Sequence, residues 1–172
     1  MKKTLSIMLC VLMLITVIPF SALADPTGPA FVVNDAAVEA GQGVTLDVRA
    51  VNAAEVAALK FTVNTPAGID IVNAYADDAL AGYKQVGPID DPRSVTFIWA
   101  NGEGPLNAND VVLFHIEIES FATLAAGDYD IEITVSAEDT LDFDYNEVAV
   151  AGVNGKLTVT PPAGAAPARR NR

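Results

Sequence analysis

Cysteine and histidine are nearly absent from this sequence, which limits the chemistry that the protein can perform. The only cysteine is Cys10 and the only histidine is His115. Cys10 lies within an apolar run near the N-terminus, and the rest of the chain therefore has no thiol. Disulfides, cysteine nucleophiles and thiolate metal sites are excluded there, yet the length suffices to bury a core without such cross-links.

The N-terminal residues have the organisation of a secretory signal peptide. Lys2 and Lys3 precede an apolar run over residues 5–20, and an Ala-Leu-Ala cleavage site ends at Ala24. The run is shorter than the ~20 residues that a membrane-spanning helix needs, so a cleaved signal is favoured over an uncleaved anchor. We predict a signal peptide over residues 1–24, a mature chain that begins at Asp25, and an extracellular protein, free or associated with the cell surface.

Basic residues are scarce throughout the chain. There are 10 lysines and arginines against 22 aspartates and glutamates. Without Lys2 and Lys3 the balance is 8 basic against 22 acidic residues, a formal net charge of −14. Nucleic acid and anionic lipid are poor partners for such a surface, whereas a cation or a protein with a basic patch is a suitable one.

The most extensive pattern in the sequence is the alternation of apolar and polar residues, which puts one side of a strand in a core and the other in solvent. The alternating segments are 44–49, 59–64, 95–99, 114–119, 129–135 and 153–160. Turn residues separate them, so we predict an all-β protein: an antiparallel β-sandwich formed by one domain over residues 25–160. The dipeptide Asn154-Gly155 is predicted to form either a tight hairpin or a bulge.

The C-terminal residues differ from the rest in composition. Residues 161–168 are rich in proline, alanine and glycine, and Arg169, Arg170 and Arg172 follow them. A segment of this composition has nothing to pack into a core. We predict a disordered, Pro/Ala-rich basic tail over residues 161–172.

Residues suited to catalysis are few. His115 falls on the polar side of its predicted strand, where a surface role is expected. None of the serines considered as nucleophiles, Ser94, Ser120 and Ser136, lies in the Gly-x-Ser-x-Gly context of a nucleophile elbow. Carboxylate pairs of the kind that glycosidases use are expected by chance among so many acids. We predict that the protein is not an enzyme and has no catalytic residues.

One segment is rich in the oxygen ligands that calcium prefers. Glu138, Asp139, Asp142 and Asp144 are close in the sequence, and Asn146 follows them. This density suits calcium, but the order of residues differs from that of an EF-hand loop. A solvated acidic loop is the alternative, so no metal ligand and no cofactor is assigned to this chain.

Aromatic residues are concentrated at positions that face the predicted core. The core candidates are Phe61, Phe97, Trp99, Phe114 and Tyr129. Tyr75, Tyr83 and Tyr145 are left near predicted turns. Carbohydrate-binding sandwiches need exposed aromatic platforms, and three scattered tyrosines are a small supply for one.

The order of these segments resembles that of a cohesin domain, the receptor module of cellulosome-type assemblies. The similar segments are VEAGQGVTLDV at 38–48, VAALKFTV at 56–63, RSVTFIWANG at 93–102, NDVVLFHI at 109–116, AGDYDI at 126–131 and NGKLTV at 154–159. Each segment alone is common in β-sandwiches, and their order is the more specific feature. The resemblance covers residues 31–160.

This resemblance implies a flattened jelly-roll sandwich that binds dockerin, a small calcium-binding module carried by an enzyme or another scaffold protein. Calcium then belongs to the dockerin partner. Cohesins bind dockerin through one sheet face, made by their third, fifth, sixth and eighth strands. Carried onto this sequence by apolar alternation, the outward, partner-binding positions are Ala58, Lys60, Thr62, Tyr83, Gln85, Thr96, Ile98, Asp128, Asp130 and Glu132.

The predicted function is therefore that of a secreted, non-catalytic, protein-binding module of cohesin type. Ala58 and Lys60 stand where many cohesins have polar or acidic groups, so the resemblance specifies no dockerin type. A carbohydrate- or cell-surface-binding sandwich, with polysaccharide as the ligand, is the alternative, and an envelope protein without a specific ligand is a third. A row of exposed aromatic rings favours carbohydrate, whereas a flat face of apolar and charged residues favours a protein.

Overall fold

Strands occupy most of the chain, as the alternating pattern predicts. A computed structural model describes residues 26–162, so the predicted signal peptide and residues 163–172 of the predicted tail lie outside the described residues. The strands are β1 (Ala30–Val33), β2 (Ala36–Glu39), β3 (Gly43–Val51), β4 (Ala58–Asn64), β5 (Ile69–Ala76), β6 (Tyr83–Val86), β7 (Ser94–Ala100), β8 (Asp110–Ser120), β9 (Gly127–Val135), β10 (Ala151–Val153) and β11 (Gly155–Thr160). Within residues 26–162 the helical structure is a 3₁₀ turn over Ala137–Asp139, and no helix there is long and apolar enough to cross a bilayer.

The strands form two sheets that pack face to face. Their order is β10-β1-β3-β8-β5 in the five-stranded sheet and β2-β11-β9-β4-β7-β6 in the six-stranded sheet. Neighbouring strands are antiparallel except for two pairs, β1 with β10 and β2 with β11, each at one edge of its sheet. The predicted all-β sandwich with jelly-roll topology is confirmed, with these two parallel pairings in addition.

Aromatic side chains fill the space between the sheets. Phe61, Phe97 and Phe114 are buried, and the ring centroid of Phe61 lies 5.3 Å from that of Phe97 and 5.6 Å from that of Phe114. Trp99 is also buried, and its indole Nε1 donates a hydrogen bond to the carbonyl of Ala81 at 2.6 Å. Burial of such a side chain stabilises the fold by about 1.5–3 kcal/mol relative to exposure. This cluster therefore fixes which side of each strand faces inward.

Tyr129 is the exception among the predicted core aromatics. Its side chain is half-buried and packs against the core. The phenol donates a hydrogen bond to the carbonyl of Ala125 at 2.8 Å, which keeps the polar end of the side chain near the surface.

Two segments of the chain change sheets at the same point. β1 and β2 belong to different sheets, as do β10 and β11, and the two segments run side by side in parallel. A Cβ atom at Gly155 would lie 2.8 Å from the carbonyl oxygen of Asn34 and 2.8 Å from a methyl group of Val33. Asn154 Oδ1 accepts a hydrogen bond from the amide of Ile133 at 3.1 Å. The predicted hairpin or bulge at Asn154-Gly155 is wrong, because β10 and β11 on either side of it belong to different sheets and pair with other strands. The glycine instead allows close backbone approach where the chain passes between the sheets.

Candidate functional site

The residues predicted to bind a partner share the outward side of the six-stranded sheet, where β6, β7, β4 and β9 are adjacent in that order. Residues in register on neighbouring strands point to the same side of a sheet. Lys60 is in register with Ile98, Thr62 with Thr96, Gln85 with Ile98, and Tyr83 and Ala58 both with Ala100. This surface, called the binding face below, comprises Ala58, Lys60, Thr62, Tyr83, Gln85, Thr96, Ile98, Asp128, Asp130 and Glu132. Their binding role stays a prediction.

Ile98 lies at the centre of the binding face. Lys60 flanks it on β4 and Gln85 flanks it on β6. Ile98 is partly exposed, whereas the adjacent residues Phe97 and Trp99 are buried. Removing apolar surface from water is favourable by ~25 cal/mol per Å². A partner that covers the exposed part of Ile98 would therefore make association more favourable.

Threonines form a band across the face beside Ile98. Thr62 is in register with Thr96 on β7 and with Thr134 on β9. The hydroxyl oxygens of Thr62 and Thr96 lie 2.9 Å apart and share a hydrogen bond. Thr134 is not among the residues predicted to bind a partner, although its alternation with the buried Ile133 is a signal in the sequence. The band offers hydroxyl groups to a polar partner.

Lys60 is held in a fixed position on the face. Its ammonium nitrogen lies 2.9 Å from the carboxylate of Asp139, which also accepts a hydrogen bond from the Ser136 hydroxyl at 2.7 Å. The hydrogen bond to Asp139 raises the pKa of Lys60. The Ser136 hydroxyl and then Lys60 lower the pKa of Asp139. The ion pair is exposed to solvent and orients the lysine more than it stabilises the fold.

One corner of the binding face is acidic. Asp128, Asp130 and Glu132 are exposed and alternate along β9. Asp128 accepts a hydrogen bond from the Thr158 hydroxyl at 2.9 Å, and Lys156 lies 3.9 Å from its carboxylate. One lysine beside three carboxylates leaves this corner negative, which suits a basic region on a partner.

The opposite end of the face is apolar and aromatic. The residues that line a groove of about 170 Å³ at this end include Ala58, Ala100, Phe143 and Tyr145. Tyr83 lies next to this end on β6, and its hydroxyl donates a hydrogen bond to the side chain of Gln85 at 2.7 Å. Phe143 was not selected from the sequence because its position in a loop has no alternating pattern. Within residues 26–162, no ring contact joins two exposed aromatic side chains.

The acidic loop forms hydrogen bonds within itself. Asp142 accepts hydrogen bonds from the side chain of Asn146 at 3.0 Å and from the amides of Asn146 and Asp144 at 2.9 and 2.8 Å. The Asn146 side chain is the main cause of the lowered pKa of Asp142. Asp139 faces Lys60 instead. No group of three or more His, Cys, Asp or Glu residues is placed to hold a metal ion in the described part of the chain.

His115 lies on the other sheet, far from the binding face. Its Nδ1 lies 2.8 Å from the carboxylate of Asp47 and its Nε2 3.0 Å from that of Asp77. The ring of Tyr75 packs against the imidazole at 5.0 Å. Both ring nitrogens form hydrogen bonds with carboxylates. Ser120 on the same strand is buried, and its hydroxyl donates to backbone carbonyls. Within residues 26–162 the hydrogen-bond partners of His115 are thus carboxylates and not a hydroxyl group.

Comparison with known proteins identifies the fold. No known family profile and no curated protein matches the sequence. A chain of a type I cohesin–dockerin complex from Clostridium thermocellum matches with a TM-score of 0.67 and 16% identity, over 77% of this chain and 99% of that one. The seventh ScaB type I cohesin from Pseudobacteroides cellulosolvens matches at 0.66 and 17%, over 84% and 98%. A non-cellulosomal cohesin from the archaeon Archaeoglobus fulgidus matches at 0.64 and 16%, over 77% and 91%. The chain thus has the cohesin fold, which confirms the resemblance at that level.

Proposed function

We propose that this protein is a secreted, non-catalytic module that binds a dockerin-bearing enzyme or scaffold protein through the binding face. The observation that carries the proposal is the gathering of all the predicted contact residues on one sheet surface, with the partly exposed Ile98 at its centre. The cohesin fold supports it, because several of the similar structures are cohesin–dockerin complexes.

The composition of the binding face fits a protein partner. Interfaces between proteins combine an apolar centre with a polar rim. Here Ile98 is the apolar centre, the threonine band lies beside it, and the acidic corner forms part of the rim. The partner then has an apolar patch that covers Ile98 and basic residues opposite Asp128, Asp130 and Glu132. We assign the required calcium to the dockerin rather than to this chain.

Titration calorimetry against a panel of dockerins tests the proposal. The unmodified protein is expected to bind at least one of them, and Ile98→Asp is expected to weaken that binding at least tenfold, since truncation at the centre of an interface typically costs ~2 kcal/mol. Glu117→Ala, on the five-stranded sheet, is the control and should bind as the unmodified protein does. A calcium chelator should abolish binding by unfolding the dockerin while this domain keeps its thermal midpoint.

Three results would contradict the proposal in different ways. An Ile98→Asp variant that is folded and binds normally would show that the face is wrong. An unfolded Ile98→Asp variant would place Ile98 in the core, in which case Thr96→Arg replaces it as the test of the face. A protein that binds no dockerin but sediments with an insoluble polysaccharide would support the carbohydrate-binding alternative.

A further inference from the structure

A second surface depression lies at one end of the five-stranded sheet, on the opposite side of the sandwich from the binding face. This end groove has a volume of about 460 Å³ and lies between the turn after β2, strand β5 and the turn after β8. The residues that line it include Gly41, Asp70, Val72, Glu119, Ser120 and Phe121. Val72 is 54% exposed and Phe121 49% exposed, so the groove presents two large apolar side chains to solvent.

The charges of the end groove are not balanced by its neighbours. Asp70 and Glu119 are directly in register on adjacent strands. The residue in register with Glu119 on its other side is Gly43, which has no side chain. Like charges in direct register destabilise a sheet. The ion pairs that form within residues 26–162 involve other carboxylates and leave Asp70 and Glu119 without a basic partner.

The chain leaves its last strand at the edge of this groove. The carbonyl of Thr160 accepts a hydrogen bond from the amide of Ala40 at 3.0 Å. Ala40 precedes Gly41, whose amide donates a hydrogen bond to the hydroxyl of Ser120 at 3.2 Å. Residues 161–168 are Pro-rich and span up to about 25 Å at ~3.1 Å per residue. The arginines that follow them are therefore within reach of Asp70 and Glu119.

We propose that the end groove binds the basic segment 169–172 of the same chain. Arginine is suited to both parts of the groove, because its guanidinium pairs with carboxylates and stacks on aromatic rings. Arg169, Arg170 and Arg172 supply positive charge beside Asp70 and Glu119, and Phe121 supplies the ring. A short linker gives an effective concentration in the millimolar range, so a weak contact suffices to occupy the groove.

Paramagnetic broadening in NMR spectra tests this contact directly. After removal of the predicted signal peptide the chain has no cysteine, so Asn171→Cys carries a single spin label next to the arginines. At low salt, the amides of residues 70–72 and 119–123 should be broadened several-fold more than those of the binding face. The double variant Asp70→Asn with Glu119→Gln should lose most of this broadening, as should salt at about 0.5 M.

The controls separate this occupant from others. Asp128→Asn with Asp130→Asn removes the same charge from the opposite sheet and should leave the broadening at the end groove unchanged. Broadening that persists in the Asp70→Asn, Glu119→Gln variant, or that is strongest around residues 128–132, would overturn the proposal. A mixture of isotope-labelled chain without the spin label and spin-labelled chain without isotope should show no broadening at the groove. If it does, a second copy is the occupant and the proposal is wrong.

Discussion

His115 links three segments that are distant in the sequence. Asp47 belongs to β3, His115 to β8, and Asp77 to the turn that follows β5 and leads to β6. Burial lowers the pKa of His115, but the hydrogen bonds to Asp47 and Asp77 outweigh it, and the net pKa is raised. The hydrogen bond to His115 lowers the pKa of Asp77. The hydrogen bonds from the imidazole to these two carboxylates therefore fasten the turn to the sheet.

This arrangement predicts that the contribution of His115 to the stability of the fold falls as the pH rises. Because the pKa of His115 is higher in the folded state, protonation of the imidazole stabilises the fold. This contribution is fully present below the ordinary pKa of 6.5 and is lost as the pH rises through the pKa of the folded state. The thermal midpoint of the unmodified protein should exceed that of His115→Gln by more near pH 6 than near pH 9, with a change of about 2 °C or more.

Glu117→Gln is the matched control for the pH experiment. Glu117 lies two residues from His115 on the same strand and contacts Asn73 rather than the histidine. Its effect on the thermal midpoint should not follow the His115→Gln profile. A difference between unmodified protein and His115→Gln that is constant from pH 6 to pH 9 would mean that the imidazole stays neutral.

At the scale of strands, the sequence determines which residues of a strand face outward, but it does not determine which distant segments they contact. The outward positions of β4, β7 and β9 could be predicted because the two-residue period is local and the buried aromatic cluster fixes its phase. The sheet change at Gly155 could not, because the atoms that crowd this glycine belong to a segment more than a hundred residues earlier. The hydrogen-bond partners of His115 could not be predicted for the same reason, because they are also distant in the sequence. Turn chemistry identifies a break in a strand but not what lies beside it.

Gly155 should tolerate no side chain. A Cβ atom there would lie 2.8 to 2.9 Å from backbone oxygens of residues 33 and 34, and overpacking of this kind typically costs 1–3 kcal/mol (approximately). Gly155→Ala should therefore lower the thermal midpoint by several degrees. Gly102→Ala is the control, since nothing lies within 4 Å of its Cβ position. Equal thermal midpoints for the two variants would contradict this prediction. They would mean that the two segments that change sheets can move apart without a loss in the free energy of unfolding.

At the scale of the whole molecule, electrostatics follow from the excess of acidic residues. A formal net charge of −12 for the full chain produces a negative field that attracts basic partners from any direction. The position of the charges on the surface then determines where an attracted partner forms a complex. The acidic corner is part of the binding face, whereas the carboxylates of β5 and β8 lie on the other side of the sandwich.

The acidic corner should therefore control the rate at which a dockerin associates more than the strength of the final complex. Neutralising it by Asp128→Asn, Asp130→Asn and Glu132→Gln should lower the association rate constant by about 3- to 10-fold at low salt and change the dissociation rate constant less than about twofold. Ile98→Ala should do the reverse, because lost apolar contact mainly speeds dissociation. The control Asp70→Asn, Glu117→Gln and Glu119→Gln removes the same charge from the five-stranded sheet. Surface plasmon resonance at low salt and at about 0.5 M salt measures both constants. Equal losses of association rate in the two triple variants would assign the effect to net charge alone and remove the acidic corner from the binding face.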